Sequence, residues 1–333
     1  MRDVYLAGIA AVLPPAEAAD EAVAAGRYDA ESAAKTRQLA VTVAPEGTES
    51  PDLAIDAARR ALRQAGAGTA DVTVLLHAML APPMPLWHAA GYIHRQLGLP
   101  AGACTATDLN AGCATALIGI QMASAMLRVR EEREVALVTA ADCWRFPMVD
   151  RWRTAATPFG DGGVAAVLSN RDGFARIAGA ASLSEPFLEP INRGYDPYTA
   201  DGAGHVEPVV LRNRGGRGGD PSAMLSAVVK VVQGVVSEAV RQAGIDMSQL
   251  DHFVSPFIGH DQIVRQFLQP LSLDMSQIPW ELARRVGHIG AADPLVGLDH
   301  LVNVEKVSWR HILVLGAGLG GIFHAMVVEN TCA

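Results

Sequence analysis

The chain reads as an α/β protein made of two matched halves, and three observations carry that reading. Segments of strand character alternate with segments of helical period, which implies sheets covered by helices. The first half is echoed by the second: Ala58-Arg-Arg-Ala-Leu-Arg-Gln-Ala-Gly returns as Ser237-Glu-Ala-Val-Arg-Gln-Ala-Gly, which sets Arg63 and Arg241 178 residues apart. Each of these helices is followed by a buried strand, Val72-Thr-Val-Leu-Leu-His in one case and Asp251-His-Phe-Val-Ser-Pro in the other. Two α/β units result, with sheets stacked around shared buried helices and a boundary near Asn170 to Gly173, so that residues 1–172 form one half and 173–333 the other.

In chain order, Val4 to Leu13 reads as the opening strand of the first half, and Arg176-Ile-Ala-Gly-Ala-Ala-Ser-Leu as its counterpart in the second. Ala16 to Ala34, rich in alanine and acid, reads as a helix in a loop on the way into the site. Leu80 to Trp87, with Pro82, Pro83 and Pro85 beside Met84, reads as a rigid turn that walls a pocket. Val135-Ala-Leu-Val-Thr-Ala-Ala and Ile312-Leu-Val-Leu-Gly-Ala-Gly form another strand pair at about the same offset. Leu188 to Asp220, with Arg212-Asn-Arg-Gly-Gly-Arg-Gly-Gly, is too polar and glycine-rich to pack and reads as a surface loop, either a plain connector or a phosphate contact.

Chemistry centres on Cys113. It follows a short extended run and the small pair Ala111-Gly112, and it opens a segment that is apolar nearly all round, broken chiefly by Gln121 and Ser124. That pattern describes a buried helix with the thiol as its first residue. The positive end of a helix favours thiolate and can bring a thiol pKa from about 8.5 into the range of roughly 3.5 to 7.5. A buried cysteine serving as a small apolar side chain fits this stretch equally well. The repeat adds a second marker: shifted by 178, His288 in Gly287-His-Ile-Gly-Ala-Ala-Asp293 falls within a few residues of Gly112-Cys113. Both motifs then begin the equivalent buried helix of their half, and a pseudo-twofold axis brings the two starts together.

Length and composition bound the alternatives. A chain of 333 residues that is 50% hydrophobic and 19% charged supports one large core or two ordinary domains. The N-terminal apolar run is too short for a membrane span and lacks a cleavage pattern, so the expected location is the cytoplasm. Four cysteines (Cys104, Cys113, Cys143, Cys332) without C-x-x-C spacing indicate neither a zinc site nor a disulfide framework. A net charge of −8 without a basic block makes nucleic acid an unexpected partner. The only lysines are Lys35, Lys230 and Lys306, so the cations are mostly arginines, suited to a phosphopantetheine or an acidic carrier protein, although coding bias also favours arginine.

The motifs Asp108-Leu-Asn-Ala-Gly-Cys113-Ala, Phe159-Gly-Asp-Gly-Gly-Val-Ala-Ala-Val-Leu168 and Gly316-Ala-Gly-Leu-Gly-Gly321 together resemble the ketoacyl-ACP synthase III-like enzymes of the thiolase superfamily, over nearly the whole chain. The resemblance implies a five-layered αβαβα thiolase fold, a homodimer and a cysteine acylated by an acyl thioester. It implies an oxyanion hole formed by the backbone N–H of Cys113 and of a glycine in the C-terminal loop, here assigned to Gly320. No metal or resident cofactor is implied; the phosphopantetheine thioester of a carrier protein or coenzyme A is substrate.

Two departures from that family matter more than the matches. Condensing members carry a histidine in a Pro-His-Gln-x-Asn segment, where this chain reads Pro256-Phe-Ile-Gly-His260 and places Phe257 at the histidine position. They carry an asparagine in a Gly-Asn segment, where this chain has Gly287-His288. The decarboxylating pair is therefore broken, unless the first segment slides and His260 substitutes. Cys113, His288 and Asp293 remain, and Cys-His-Asp is a constellation for acyl transfer; Asp293 as a helix cap is the plainer alternative. The set resembles the acyltransferase branch of the family found in polyketide and antibiotic pathways. Phe257, His260, Trp87 and Met84 are expected to line the site, and the other histidines to be structural or on the surface. A starter-type condensing synthase and a non-catalytic partner subunit are the competing readings.

Overall fold

A computed structural model describes residues 3–146, 149–154, 157–190 and 220–332. Its elements in order are β1 (Tyr5–Val12), β2 (Ala16–Ala18), α1 (Ala19–Ala24), α2 (Ala30–Thr36), β3 (Ala40–Thr42), α3 (Ser50–Gln64), β4 (Val72–Ala78), α4 (Ala89–Leu97), β5 (Thr105–Leu109), α5 (Thr115–Arg128), β6 (Val135–Asp142), β7 (Gly162–Ser169) and β8 (Ala175–Ser184). After β8 come α6 (Pro221–Ala243), β9 (His252–Val254), α7 (residues 260–271, with a π-helical stretch at Val264–Leu268), α8 (Trp280–Val286), α9 (Asp293–Asp299), β10 (His311–Gly318) and β11 (Ile322–Asn330).

The strand order is β5-β4-β6-β7-β1-β8-β11-β10-β9. It reads symmetrically outward from the centre: β1 answers β8, β7 answers β11, β6 answers β10 and β4 answers β9. The two half-sheets are joined where β1 pairs antiparallel with β8, at Tyr5–Arg176 and Leu6–Ala175.

Alternation along the strands builds the layers. One face of β4, β6 and β7 (Leu76, Val138, Ala166) and one face of β10 and β11 (Val314, Met326) pack with α5 (Leu117, Ile120) and α9 (Leu295, Val296) in one core. The opposite face of the first half-sheet (Leu75, Leu137, Val167) packs under α3 and α4. The opposite face of the second (Leu313, Leu315, Phe323, Ala325) packs under α6 and α7. The result is helix, sheet, helix, sheet, helix: the five-layered αβαβα arrangement of the thiolase fold. Helix α6 is long and apolar enough to cross a membrane, but Val231, Val232, Val235, Val236, Ala239 and Val240 are buried against β8 and β11.

Two expectations need correction. The buried helix starts at Thr115, so Cys113 stands two residues before it rather than opening it. The reason is local: Thr115 Oγ1 accepts from the Ala111 N–H at 2.7 Å and donates to the Gly112 carbonyl, closing a tight turn ahead of the helix. Ala16 to Ala34 is not one helix but β2, α1 and the start of α2. Most of the Leu188 to Asp220 loop, with its arginine-glycine run, lies outside the described residues.

Candidate active site

The site is assembled at the starts of the two central helices, α5 and α9. Their first residues, Thr115 and Asp293, are 178 positions apart, the same offset that relates Arg63 to Arg241. Gly112, at φ +63°, turns the chain from β5 into the Cys113 corner. That corner is clasped by the C-terminal glycine loop. A side chain on Gly112 would collide with the backbone of Gly318 and Leu319, one on Gly318 with the Ala111 carbonyl, and one on Gly316 would stand 2.9 Å from Ala114 Cα. Gly320 lies on the exposed outer turn of the same loop, with open space where a side chain would be. Gly316, Gly318 and Leu319 form the clasp on the nucleophile corner.

Cys113 Sγ lies 3.0 Å from His288 Nε2. His288 Nδ1 hydrogen-bonds Asp293 Oδ2. All three side chains are buried, Asp293 completely. Asp293 is fixed from two sides, because Oδ1 accepts the Ile289 N–H at 2.7 Å and Oδ2 accepts the Phe257 N–H at 2.8 Å. The His288 backbone is pinned by the segment before β7: its N–H donates to the Pro158 carbonyl at 3.0 Å and its carbonyl accepts from the Gly160 N–H at 3.1 Å. The Phe159 ring meets the imidazole edge-on at 5.2 Å between centroids, and Trp144 backs Phe159 at 4.6 Å.

Burial pushes the His288 pKa down, but the charge of Asp293 and the neighbouring Cys113 outweigh it, and the imidazole holds its proton well above the ordinary histidine range. The arrangement is a relay in which a thiol can hand its proton to a ring whose tautomer and charge are set by a carboxylate.

Phe257 is 2% exposed and its ring lies against Gly297 of α9, so its link to the site is its backbone N–H on Asp293 rather than its side chain. His260 starts α7, bonds Asp261 at 3.1 Å and meets Trp280 edge-on; neither Cys113 nor His288 is among its partners. Met84 is half exposed, and Trp87 packs on Tyr92 at 5.6 Å. The turn that carries them reaches the site region through the N–H groups of Leu80 and Ala81, which donate to Asp142. His77 bonds Thr139 at 2.9 Å, and burial pushes it down to about 4.

Three residues were missed from sequence. Thr115 clamps the nucleophile corner; Asp142 ties Leu80 and Ala81 to Ala291; and buried Asp161 joins Ala44, Trp144 and Arg151. The one available signal was an acid closing or preceding an otherwise apolar strand, as Asp142 and Asp161 do. A cavity of about 150 Å³ lies between α2 (Ser32, Lys35, Thr36) and the start of α7 (Asp261, Arg265), and Pro158, whose carbonyl holds the His288 N–H, is in its wall. Among the described residues no cluster of histidine, cysteine and carboxylate side chains could hold a metal ion.

A five-layered αβαβα chain with a cysteine at the head of one central helix and a histidine at the head of its twin is a thiolase-superfamily protein. Residues 107–186 match 3-oxoacyl-[acyl-carrier-protein] synthase III and residues 240–330 match the C-terminal part of the same family, and the chain belongs to it. The beta-ketoacyl-[acyl-carrier-protein] synthase III of Neisseria meningitidis is 26% identical over 283 residues, covering 84% of this chain and 83% of the relative. That of Sphingopyxis alaskensis is 28% identical over 275 residues, covering 81% and 80%. Among solved structures, the acyltransferase ChlB3 superposes with a TM-score of 0.90 at 30% identity over 98% of both chains. Xanthomonas campestris OleA superposes with a TM-score of 0.78 at 18% identity, over 98% of this chain and 96% of that one.

Proposed function

We propose that the protein is an acyltransferase: Cys113 takes an acyl group from a carrier-protein or coenzyme A thioester and passes it to another carrier thiol, a hydroxyl or an amine, without decarboxylative condensation. The carrying observation is the closed Cys113–His288–Asp293 chain, with Phe257 supplying only a main-chain N–H. In the first half-reaction the sulfur, its proton passed to His288, attacks the thioester carbonyl; the new C–S bond forms, the donor C–S bond breaks, and the donor thiol leaves with the proton. In the second, an acceptor X–H gives its proton to His288 while X bonds the acyl carbon and the Cys113 sulfur departs. The tetrahedral oxyanion is held by the Cys113 N–H and the Gly320 N–H.

Condensation is disfavoured on physical grounds. Decarboxylation of a malonyl thioester leaves an enolate that needs aligned donors, and losing one such donor typically costs roughly 3 to 4 kcal/mol. The Phe257 side chain donates nothing, and His288 is engaged with Asp293. The likeness to an acyltransferase at 30% identity also supports transfer, and the polyketide or antibiotic setting goes with this reading. The cavity beside α2 suits the donor's pantetheine arm, with Lys35 and Arg265 at its rim for phosphate or an acidic carrier. A second copy of the chain completes the molecule.

The test is to load Cys113 from candidate acyl thioesters and follow intact mass, then offer malonyl carrier protein or, separately, alcohols, amines and carrier thiols. The adduct should vanish in Cys113→Ala and survive in Cys143→Ala, and loss of the adduct should track appearance of an ester, amide or thioester. Carbon dioxide release matched to a ketoacyl product at a comparable rate would establish the condensing synthase instead, the activity named for the Neisseria relative. Absence of any adduct would favour a non-catalytic subunit.

A further inference from the structure

Asp142, the last residue of β6, is fully buried, and among the described residues no cationic side chain pairs with it. Its hydrogen bonds come from three main-chain N–H groups in two separate segments. Oδ1 accepts from Leu80 and Ala81, both at 2.8 Å, and Oδ2 accepts from Ala291 at 3.4 Å. Ala291 lies between His288 and Asp293. Gly290 sits directly on the carboxylate: with φ +83°, a side chain there would stand 2.6 Å from Asp142 Oδ2 and 2.9 Å from the Trp144 ring. Asp142 therefore holds the short turn that joins the base to its carboxylate.

A buried carboxylate without a cation is a costly choice if the task is only to cap loops. Burial raises this one to about 7, against the pull of its three N–H bonds and of the charge on His288. The titratable and charged groups around it are His288, with Asp293 and Cys113 beyond, Cys143 next in the chain, which burial pushes up and Arg145 pulls down, and Asp161, which accepts from the neighbouring Trp144 N–H and is paired with Arg151. His288 is the cation that acts on Asp142 itself.

We propose that Asp142 is a positioning residue for His288: it anchors the Gly290–Ala291 turn and adds a second negative charge near the imidazole, so that Nε2 faces Cys113 and keeps the thiol proton. The consequence for turnover rests on the acyl-transfer reading, but the reactivity of the sulfur can be measured without an acyl donor. Asp142→Asn is the informative change. The amide oxygen can retain the Leu80 and Ala81 bonds, while the charge and the Ala291 bond are lost.

The experiment measures the rate at which iodoacetamide alkylates Cys113 near pH 8, where Asp142 is ionised, located by peptide mass, in the full-length wild type, Asp142→Asn, His288→Ala and the double variant. Thermal midpoints are read near pH 8. Asp142→Asn should slow alkylation about tenfold, one pKa unit's worth, with a midpoint equal to or above wild type, because no buried charge has to form. In the His288→Ala background it should have no further effect. A wild-type rate in Asp142→Asn, an equal loss in both backgrounds, or a loss accompanied by a lowered midpoint would each overturn the proposal. Should Asp142→Asn fail to fold, Ala291→Pro removes the third N–H and should still slow alkylation without lowering the thermal midpoint; an unchanged rate, or a loss accompanied by a lowered midpoint, counts against the proposal. If acyl transfer itself is misread, Cys113 alkylation will respond to Asp142 in a protein that never takes up an acyl group; if this inference is wrong, acylation proceeds and alkylation ignores Asp142.

Discussion

Asp293 carries two jobs that one substitution can separate. Its Oδ1 takes a main-chain N–H from Ile289, while Oδ2 takes one from Phe257 and also the imidazole. In Asp293→Asn the amide oxygen can keep the Oδ2 bonds, so the fold should survive with only the Ile289 N–H unpaired, while the charge that holds the proton on His288 is gone. Acyl transfer should then fall by about 10² to 10⁴-fold in single-turnover mass measurements, as it should in His288→Ala. An unchanged rate in Asp293→Asn would reduce Asp293 to a helix cap. The same carboxylate sets a pH dependence of stability. Because the folded state raises His288 above its unfolded value near 6.5, the ion pair contributes fully below that value and its contribution is lost as pH rises through the folded one. Melting scans from about pH 6 to about pH 9 should therefore fall more steeply for wild type than for Asp293→Asn; parallel curves would contradict the raised imidazole. His288 and Asp293 were legible in the sequence because chemistry needs those residue types near a cysteine. The Phe257 contribution was not, since any residue but proline offers the same N–H.

The site's precision comes from one loop clasping another, and glycine makes that possible. Gly316 of β10 faces Ala114 across a gap that leaves 2.9 Å for a methyl group, tighter than real side-chain contacts allow. Gly316→Ala should force the two loops apart at a cost of about 1–3 kcal/mol and slow acylation of Cys113; thermal unfolding and the mass-based acylation rate check the two effects. A variant with wild-type stability and rate would show that the clasp has slack. Element positions were readable wherever the signal was periodic or repeated: the helix ending at Ala65-Gly66 and its echo ending at Gly244, the strands of β4, β6 and β10, and the glycine loop all lie where expected. The start of α5 was displaced by two residues because periodicity continues through Cys113 and Ala114. The Thr115 hydroxyl, which ends the turn and begins the helix, leaves no mark on an apolar pattern. The proline-rich turn is rigid by composition, but its tie to Asp142, some 60 residues away, leaves no mark in the sequence, because a contact between distant segments has no local signature.

At the scale of the whole molecule, the repeat explains why the strand order is symmetric about β1 and β8 and why two helix starts converge, but it leaves one strand of the nine-stranded sheet without a described counterpart. β5 stands at the outer end of the first half-sheet, paired with β4 on one side and with no described strand on the other. It is a poor free edge. Thr105-Ala-Thr-Asp-Leu109 contains no proline or lysine to discourage pairing, and its one charge, Asp108, is turned onto the N–H groups of Ala89 and Ala90 at the head of α4. The turn before α4 also leaves Leu86 and Met84 exposed. A second copy related by a twofold axis would pair β5 with β5 antiparallel, extend the sheet across the molecule and cover that turn, and a two-fold contact of this kind closes on itself and occupies the β5 edge of both copies. Since β5 leads directly into Ala111-Gly112-Cys113, the same contact would brace the nucleophile corner. Light scattering at micromolar concentration should give twice the chain mass of 35.1 kDa, and Thr105→Lys, which places a charge on the edge, should shift the mass toward one chain and slow Cys113 acylation together. A wild-type protein that scatters as a single chain would remove β5 pairing, while a dimer indifferent to Thr105→Lys would move the contact to another surface.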